Sequence, residues 1–541
     1  MNNLNYKIFI FLLFFIFSSG IIYSQQPQLI WSARYNSPVN GDDRSMDMVL
    51  DSIGNIYVTG LDAGIPNSFP GVVTIKYNNL GQQIWLRRFT DSMNIISTPN
   101  KIRVDSKNNV YVLGNESKGF LVKYDSGGVF KWKRDYLGTN GFADLSIDKN
   151  GNIYVAGGSQ LSNPYGDILL IKYNSLGDTV WSKRFNISYL GAGASSICLD
   201  DSNYVYITGA VTMISSIDTV GVFCTMKYDS LGVMKWVRYF KSSIPKRDCL
   251  AFKIKGDKIG NIYVTGVIED NTHYDDFCTI KYTGDGIQKW VNMYSGIIYG
   301  GGSPLDMAVD SIGNVYVTGQ SPDTMSSYYS CATIKYDTAG NQKWVRRYPS
   351  DLYGSYFPSS LFLDKYNNCY ITGTFFTIKY DVNGNQKWAL NNSDPQSTYR
   401  YRGVKVIIDR SNNMFITATG AGNVGSTGDI LTLKYNHTTN INNYGSQNYN
   451  YKLYQNYPNP FNPVTNIKYQ IPRSSNVKLI VYDILGKEIA KLVDQKQNAG
   501  SYETQFPDYQ FSNNQLPSGV YFYSLFIDGV RLDTKKLILL K

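Results

Sequence analysis

Histidine is nearly missing from these 541 residues: only His273 and His437 occur. That leaves little material for imidazole-based acid–base or metal chemistry. No G-x-S-x-G, no H-E-x-x-H and no phosphate-cradling glycine loop with lysine is present. The six cysteines, Cys198, Cys224, Cys249, Cys278, Cys331 and Cys369, have no paired spacing, which excludes the close Cys/His pairs of a zinc site. Three of them stand just before a Lys-Tyr or Lys-Tyr-like pair, where Val or Leu stands elsewhere, and read as small buried hydrophobes. Charged residues make up only 17%, and the net charge of +10 is spread without a basic run. This is a charge for solubility, not a nucleic-acid footprint. Long apolar stretches of helical period are absent beyond the first 24 residues.

What is abundant is tyrosine, with 45 copies, and glycine, with 48. Seven lysines are each followed nine residues later by tryptophan: Lys76/Trp85, Lys123/Trp132, Lys172/Trp181, Lys227/Trp236, Lys281/Trp290, Lys335/Trp344 and Lys379/Trp388. Trp31 has no lysine before it, and Lys434 has no tryptophan after it. A series that begins with half a pair and ends with the other half is what a ring looks like when cut inside one unit. A second ruler agrees. Asp51, Asp105, Asp148, Asp200, Asp257, Asp310 and Asp364 each precede a Tyr by six positions, and Asp409 precedes Phe415. A period of about 51 residues sits at the upper edge of the range for propellers and arrays.

One unit, Ser303 to Tyr348, divides into four short strands with Gly/Asn turns: PLDMAVD, VYVTG, CATIKYD and QKWVRRY. Four-stranded antiparallel sheets repeated radially are propeller blades. The expected fold is therefore all-β, an eight-bladed β-propeller over 25–435 closed by the N-terminal strand at Trp31–Tyr35. The two turns of fixed length share one rim. The other connections vary, from six residues at Gly373/Lys379 to 18 at Gly209/Lys227, and share the opposite rim. Binding residues are expected there, on loops carried by a rigid scaffold. Each repeated Asp is expected to bond the backbone of its own turn. Each repeated Lys is expected to be a structural partner, perhaps of that Asp.

On the variable rim the densest segment is Glu269-Asp270-Asn271-Thr272-His273-Tyr274-Asp275-Asp276, with four carboxylates and a histidine. Other candidates are Asp42, Asp43, Tyr165, Asp167, Tyr328, Tyr329, Tyr353, Tyr356, Tyr399 and Arg400. Tyrosine offers a flat apolar face and a hydroxyl, suited to sugars or peptides. No cofactor or metal is expected. The function read from these residues is non-catalytic binding of glycans or extracellular proteins. The alternatives are a structural or adhesive scaffold, or a glycosidase or lyase with carboxylates converging from distant loops. The D-x-x-G-N-[IV]-Y-V-T-G and K-[YF]-[DN]-x-x-G-x-x-x-W motifs resemble the β-propeller repeats of secreted bacterial proteins.

The ends carry other signals. Lys7, the apolar stretch Ile8–Phe17 and Ser18, Ser19 and Gly20 make 1–24 an expected export signal. An Asn-rich linker, 436–450, precedes a segment of alternating strands, 451–541, expected to form a small Ig-like β-sandwich. There Asn456, Pro458, Asn459, Pro460, Phe461, Asn462 and Pro463 are followed by Gly519, Tyr521, Lys535 and Lys536. This segment resembles the C-terminal sorting domain of type IX secretion. The resemblance implies passage through the periplasm, the type IX machinery as partner, and release or attachment to surface lipopolysaccharide after the domain is removed.

Overall fold

The computed structural model describes residues 26–540, apart from 66–68, 91–95, 162–164, 188–189, 215–218, 243–246, 270–274, 297–300, 323–328, 350–355, 396–399, 421–427, 437–451, 472–474, 499, 508–515 and the side chains of Asn140 and Val530. The expected export signal and nearly all of the expected linker lie outside the described residues. The chain divides into two compact units, 1–439 and 440–541.

The described part of the first unit is all strand and turn. It forms a β-propeller of four-stranded antiparallel sheets. In the first sheet Arg44–Leu50, Ile56–Asp62, Gly71–Tyr77 and Gln83–Phe89 pair in sequence order. Six more sheets repeat that order. The third strand is buried along its whole length, whereas Gln83–Phe89 is partly exposed, as an outer strand should be. The turn between the first two strands explains the six-residue ruler. Asp51 Oδ1 accepts the amides of Ile53 and Asn55 at 3.1 and 2.8 Å. Its Oδ2 accepts Asn55 Nδ2 at 2.7 Å and the Tyr57 hydroxyl at 3.1 Å. One carboxylate thus holds its own turn and anchors the second strand.

The glycine that closes the second strand has a steric cause. The first strand carries a bulge, between Ala251 and Lys253 in the fifth sheet, and there its carbonyl crowds the neighbouring strand. A Cβ on Gly266 would lie 2.0 Å from the Leu250 carbonyl oxygen. No side chain larger than hydrogen fits.

The nine-residue ruler ties sheets together. Lys76 and Trp85 stand opposite each other in register. Lys76 Nζ and Trp85 Nε1 both donate to the Ser126 carbonyl of the next sheet, at 3.1 and 3.2 Å. Lys227 and Trp236 do the same to Gly284, at 2.8 and 3.0 Å, and Lys335 and Trp344 to Val382, at 3.0 and 3.1 Å. The lysine therefore does not bond the repeated Asp, as the sequence suggested. That carboxylate is already filled by its own turn. The ammonium instead caps the tyrosine ring, 5.0 Å from the Tyr57 centroid.

The N-terminal strand Gln28–Tyr35 pairs with Asp429–Asn436, in a sheet completed by Met414–Gly420 and Arg402–Ile408. Trp31 stands opposite Lys434. Both donate to the Asn79 carbonyl at 3.1 Å, in the first sheet. Arg34 bonds Asp394 and Asp429, and Tyr35 donates to Asp62 at 2.8 Å. The apolar core lies between sheets. One cluster joins Tyr57 and Trp85 to Ile102 and Phe120, and another joins Met48 and Ile75 to Phe415 and Ile430. All six cysteines are free thiols, and five are buried.

The second unit is a β-sandwich. A three-stranded sheet (Lys452–Leu453, Thr465–Ile471, Gly500–Phe506) and a four-stranded one (Glu488–Gln497, Ser475–Tyr482, Gly519–Ile527, Val530–Leu539) share one core around Ile467, Leu479, Phe506 and Leu525.

Candidate functional site

On the variable rim, the fifth and sixth sheets enclose a cavity of about 230 Å³. Its walls are Glu269, Asp275, Gly301, Gly302, Ser303, Gln320 and Tyr329. Glu269 ends the strand Ile262–Glu269 and Asp275 begins Asp275–Tyr282, so the two are direct cross-strand neighbours. Like charges placed opposite each other destabilise a sheet. Arg247 relieves this in part, 3.4 Å from Glu269 Oε1. The Asp275 carboxyl is pushed above its ordinary value by burial, then by Glu269 and Asp248. The opposite wall comes from the next sheet. Ser303 pairs with Gln320, and the Gly302 amide donates to the Asp275 carbonyl at 2.5 Å. Tyr329 is 36% exposed, with its ring 5.9 Å from Phe357. The cavity thus offers two carboxylates, a carboxamide, a hydroxyl and one aromatic wall.

The other rim candidates lie apart from it. Asp43 is buried and accepts the amides of Ser37 and Ala63 at 2.5 and 2.7 Å. Asp42 pairs with Arg44. Asp167 is buried against Asn186 at 3.1 Å, and Asp276 is buried and accepts Ser295 Oγ at 2.8 Å. Tyr356 is buried in a stack with Tyr348, ring centroids 5.7 Å apart, and Arg400 donates to its hydroxyl at 3.4 Å. These side chains brace the rim from within. Tyr165 is exposed. Asp270, His273, Tyr274, Tyr328, Tyr353 and Tyr399 fall outside the described residues. Among the described residues no group of three or more His, Cys, Asp or Glu side chains is placed to hold a metal ion.

A second concentration of charge lies on the axis, and sequence reasoning missed it. The strands farthest from the tryptophan strands pack together from each sheet to the next. At one shared register, just after each bulge, stand Asp47, Lys101, Asp144 and Ser196, then Lys253, Asp306, Ser360 and Lys405. Two residues further along are Arg103 and Lys255. The three carboxylates are tied to the backbone of the following sheet. Asp47 accepts the Ile102 amide at 3.1 Å, Asp144 that of Ile197 at 3.4 Å and Asp306 that of Leu361 at 2.9 Å. Arg103 bridges Asp47 at 2.9 Å and Asp144 at 3.3 Å.

In the second unit the sorting-motif residues form a strap along the last strand. Asn456 is buried, bonding the Pro458 carbonyl and Thr465 at 3.1 and 2.9 Å. Asn459 clasps the last strand, accepting the Ile538 amide at 2.9 Å and donating to the Lys536 carbonyl at 3.1 Å. Phe461 fills the core, and its amide donates to the Ile538 carbonyl at 2.9 Å. Tyr521 is buried and bonds the Pro517 carbonyl at 2.8 Å. Pro458, Pro460, Asn462 and Pro463 are exposed, Gly519 is half-buried, and Lys535 pairs with Asp533 at 3.3 Å.

None of the curated proteins matches this chain. Among solved structures, a polysaccharide lyase, Uly1, is similar at 13% identity and a TM-score of 0.40, over 62% of this chain and 89% of that one. The β-propeller domain of the Trilobed protease from Pyrococcus furiosus is similar at 9% identity and a TM-score of 0.40, over 66% and 97%. A protein of unknown function from Dyadobacter fermentans is similar at 8% identity and a TM-score of 0.38, over 76% and 99%. The second unit is placed more specifically: residues 455–540 match the family model of the secretion system C-terminal sorting domain, which supports type IX export to the outer membrane, the cell surface or the medium.

Proposed function

We propose that this chain is an exported, eight-bladed β-propeller, closed by its N-terminal strand, that binds a glycan or an extracellular protein through the variable rim without transforming it. Pairing of Gln28–Tyr35 with Asp429–Asn436 supports the closure. The sorting domain, with its small Ig-like sandwich, delivers the propeller through the type IX machinery, and attachment to surface lipopolysaccharide is one of its two fates. The observation that carries the binding reading is the rim cavity, where Glu269, Asp275, Gln320 and Tyr329 converge. Carboxylates and a carboxamide accept from hydroxyl or amino donors, and a tyrosine face packs on a ring. At about 230 Å³ the cavity is below the usual range for whole small ligands. It fits one sugar ring or one side chain of a longer ligand.

Thermal melting of the full chain against neutral and amino polysaccharides and basic peptides tests this. A ligand of the folded state raises the melting temperature, and Asp275→Asn and Tyr329→Ala should abolish the rise. If no member of the panel shifts the native chain, the rim is a scaffold. A second reading is favoured by one observation. Asp275 has a raised carboxyl directly beside Glu269, the asymmetry a glycosidase acid/base pair needs. New reducing ends released from a bound glycan would establish that reading instead.

A further inference from the structure

The axial layer is unbalanced. Three carboxylates face five cations, Lys101, Arg103, Lys253, Lys255 and Lys405, and no other carboxylate occurs on any of the eight first strands. The two kinds of charge are also used differently. Each carboxylate is held by a backbone amide, and Arg103 is spent on two of them. Among the described residues, none of the four lysine ammoniums has a hydrogen bond or an ion pair of its own. They come from the second, fifth and eighth sheets, so they meet across the ring and not along one strand. Asp47 and Asp144 attract Lys101, and Asp306 and Asp144 attract Lys255, but Lys101 and Lys253 repel each other, as do Lys255 and Lys405. Solvent reaches them: Lys255 is exposed and the other three are half-buried. A fold needing only neutrality here had a ready solution in the Ser and Ala that other sheets place at these positions. The three carboxylates attract these ammoniums but do not match them in number, and the remaining surplus of two positive charges on one axis is unfavourable unless something neutralises it.

We propose that the axial channel binds a tetrahedral oxyanion carrying about two negative charges, phosphate or sulfate in kind, between Lys101, Lys253, Lys255 and Lys405. The surplus of two positive charges matches one dianion. Ammonium groups on flexible stems suit a tetrahedral anion, because they act as point charges without a fixed fork. Desolvation by the surrounding strands lowers the Lys101 and Lys255 pKa even though their side chains keep some solvent contact, and an anion between them offsets that penalty. The site is separate from the rim cavity, whose chemistry is acidic. Such an oxyanion is either a free ion or the terminal group of a phosphorylated or sulfated glycan.

Calorimetry and thermal melting of the full chain test this, with sodium phosphate and sodium sulfate set against sodium chloride at equal ionic strength. Phosphate and sulfate should bind and raise the melting temperature where chloride does not. Lys253→Met and Lys405→Met should each weaken binding about tenfold, one charge-assisted bond apiece. Each variant should show a smaller phosphate-induced rise than the native chain, measured from its own baseline, because each lysine also attracts Asp306 and its loss shifts that baseline too. Asp275→Asn, in the rim cavity, should leave phosphate binding unchanged. A sugar phosphate that binds more tightly than inorganic phosphate would assign the site to a glycan terminus, and equal binding would assign it to the free ion. No heat or shift beyond the chloride control would overturn the proposal. So would methionine variants that keep the full phosphate-induced rise, because the lysines would then not hold the anion.

Discussion

Gln28–Tyr35 pairs with Asp429–Asn436 across nearly the whole length of the first unit, and Trp31→Ala probes that seam directly. Trp31 is half-buried. Its ring lies 6.4 Å from Tyr77 and 6.3 Å from Phe415, and its Nε1 donates to the Asn79 carbonyl at 3.1 Å. Full truncation of a buried tryptophan costs about 3–5 kcal/mol. With half the burial, one hydrogen bond and two tilted ring contacts, Trp31 should contribute about 2–3 kcal/mol. The companion variant is Trp85→Ala. Trp85 makes the same contacts between sheets joined by covalent chain, and is 6% exposed. It should cost about 3–5 kcal/mol and lower the melting temperature of the whole unit. Trp31→Ala should instead open the seam locally. Amide exchange should accelerate in Gln28–Tyr35 and Asp429–Asn436 well before the other sheets respond. Hydrogen exchange with mass spectrometry resolves those peptides. If they keep native protection in Trp31→Ala, or if Trp85→Ala shows the same local pattern, the seam is not the weak joint and the argument is wrong.

Four further outcomes follow from the same contacts. Asp257→Ala removes the acceptor for the Ile259 and Asn261 amides, Asn261 Nδ2 and the Tyr263 hydroxyl, and should cost about 2–4 kcal/mol in urea unfolding; an unchanged midpoint would mean the turn holds without its carboxylate. Gly266→Ala drives a Cβ into the Leu250 carbonyl, so soluble yield and melting temperature should both fall, whereas alanine at the unobstructed Gly193 should be tolerated. Burial pushes up the five buried thiols, Cys224 to about 12 and Cys249 and Cys331 to about 11, so at mildly alkaline pH a thiol reagent should label them only as fast as the chain unfolds, with half-buried Cys198 the one thiol open to it in the native state; a second fast-reacting equivalent in the native state would contradict that. At Asp47, Asp144 and Asp306 burial raises the carboxyls but the axial cations outweigh it, Arg103 foremost for the first two and Lys405 for the third, so all three lie below the ordinary value. Their stabilisation is present above the unfolded carboxyl value near ~3.9 and lost as pH falls through the lower folded values, so the urea midpoint should drop in that window and drop less in Asp144→Asn.

The architecture was legible because its rulers are local. Asp51 to Tyr57 spans one turn, and Lys76 to Trp85 spans one hairpin, so their spacing survives in the linear chain. The rim cavity was half legible. Glu269, Asp275 and Tyr329 stood out by type, but Gly301, Gly302, Ser303 and Gln320 are ordinary residues brought in by the next sheet. Tyr356 and Asp43 could not be told from surface residues, because a tyrosine or aspartate that braces a loop has the same neighbours in sequence as one that meets a ligand. The axis was illegible for a further reason. Asp47, Lys101 and Asp144 lie far apart in the chain, and each follows a bulge that shifts its strand by one residue. Alternation counted from the strand ends puts them on the wrong face.

The division into a fixed rim and a variable rim is itself a consequence of hydrogen bonding. The turns of constant length are obliged. The Asp51 turn holds the carboxylate that seats Tyr57, and the turn at Ser126 presents the one carbonyl that receives both Lys76 and Trp85 from the sheet before. One residue more or fewer in either turn would move an acceptor out of reach of two donors and detach neighbouring sheets. The opposite connections are tied between sheets only at strand ends, by backbone bonds such as Ala192 to Gly166, Gly302 to Asp275 and Tyr356 to Tyr329 among the described residues, and these bonds set no length for the loop beyond them. Glu269 and Asp275 flank a connection whose length is free to change, and their opposed carboxylates strain one hairpin end while the Asp275 carbonyl still takes the Gly302 amide of the next sheet. A ligand-binding rim can therefore diversify on this scaffold without loosening the ring, and unfavourable charge can be placed on it at a cost confined to one loop.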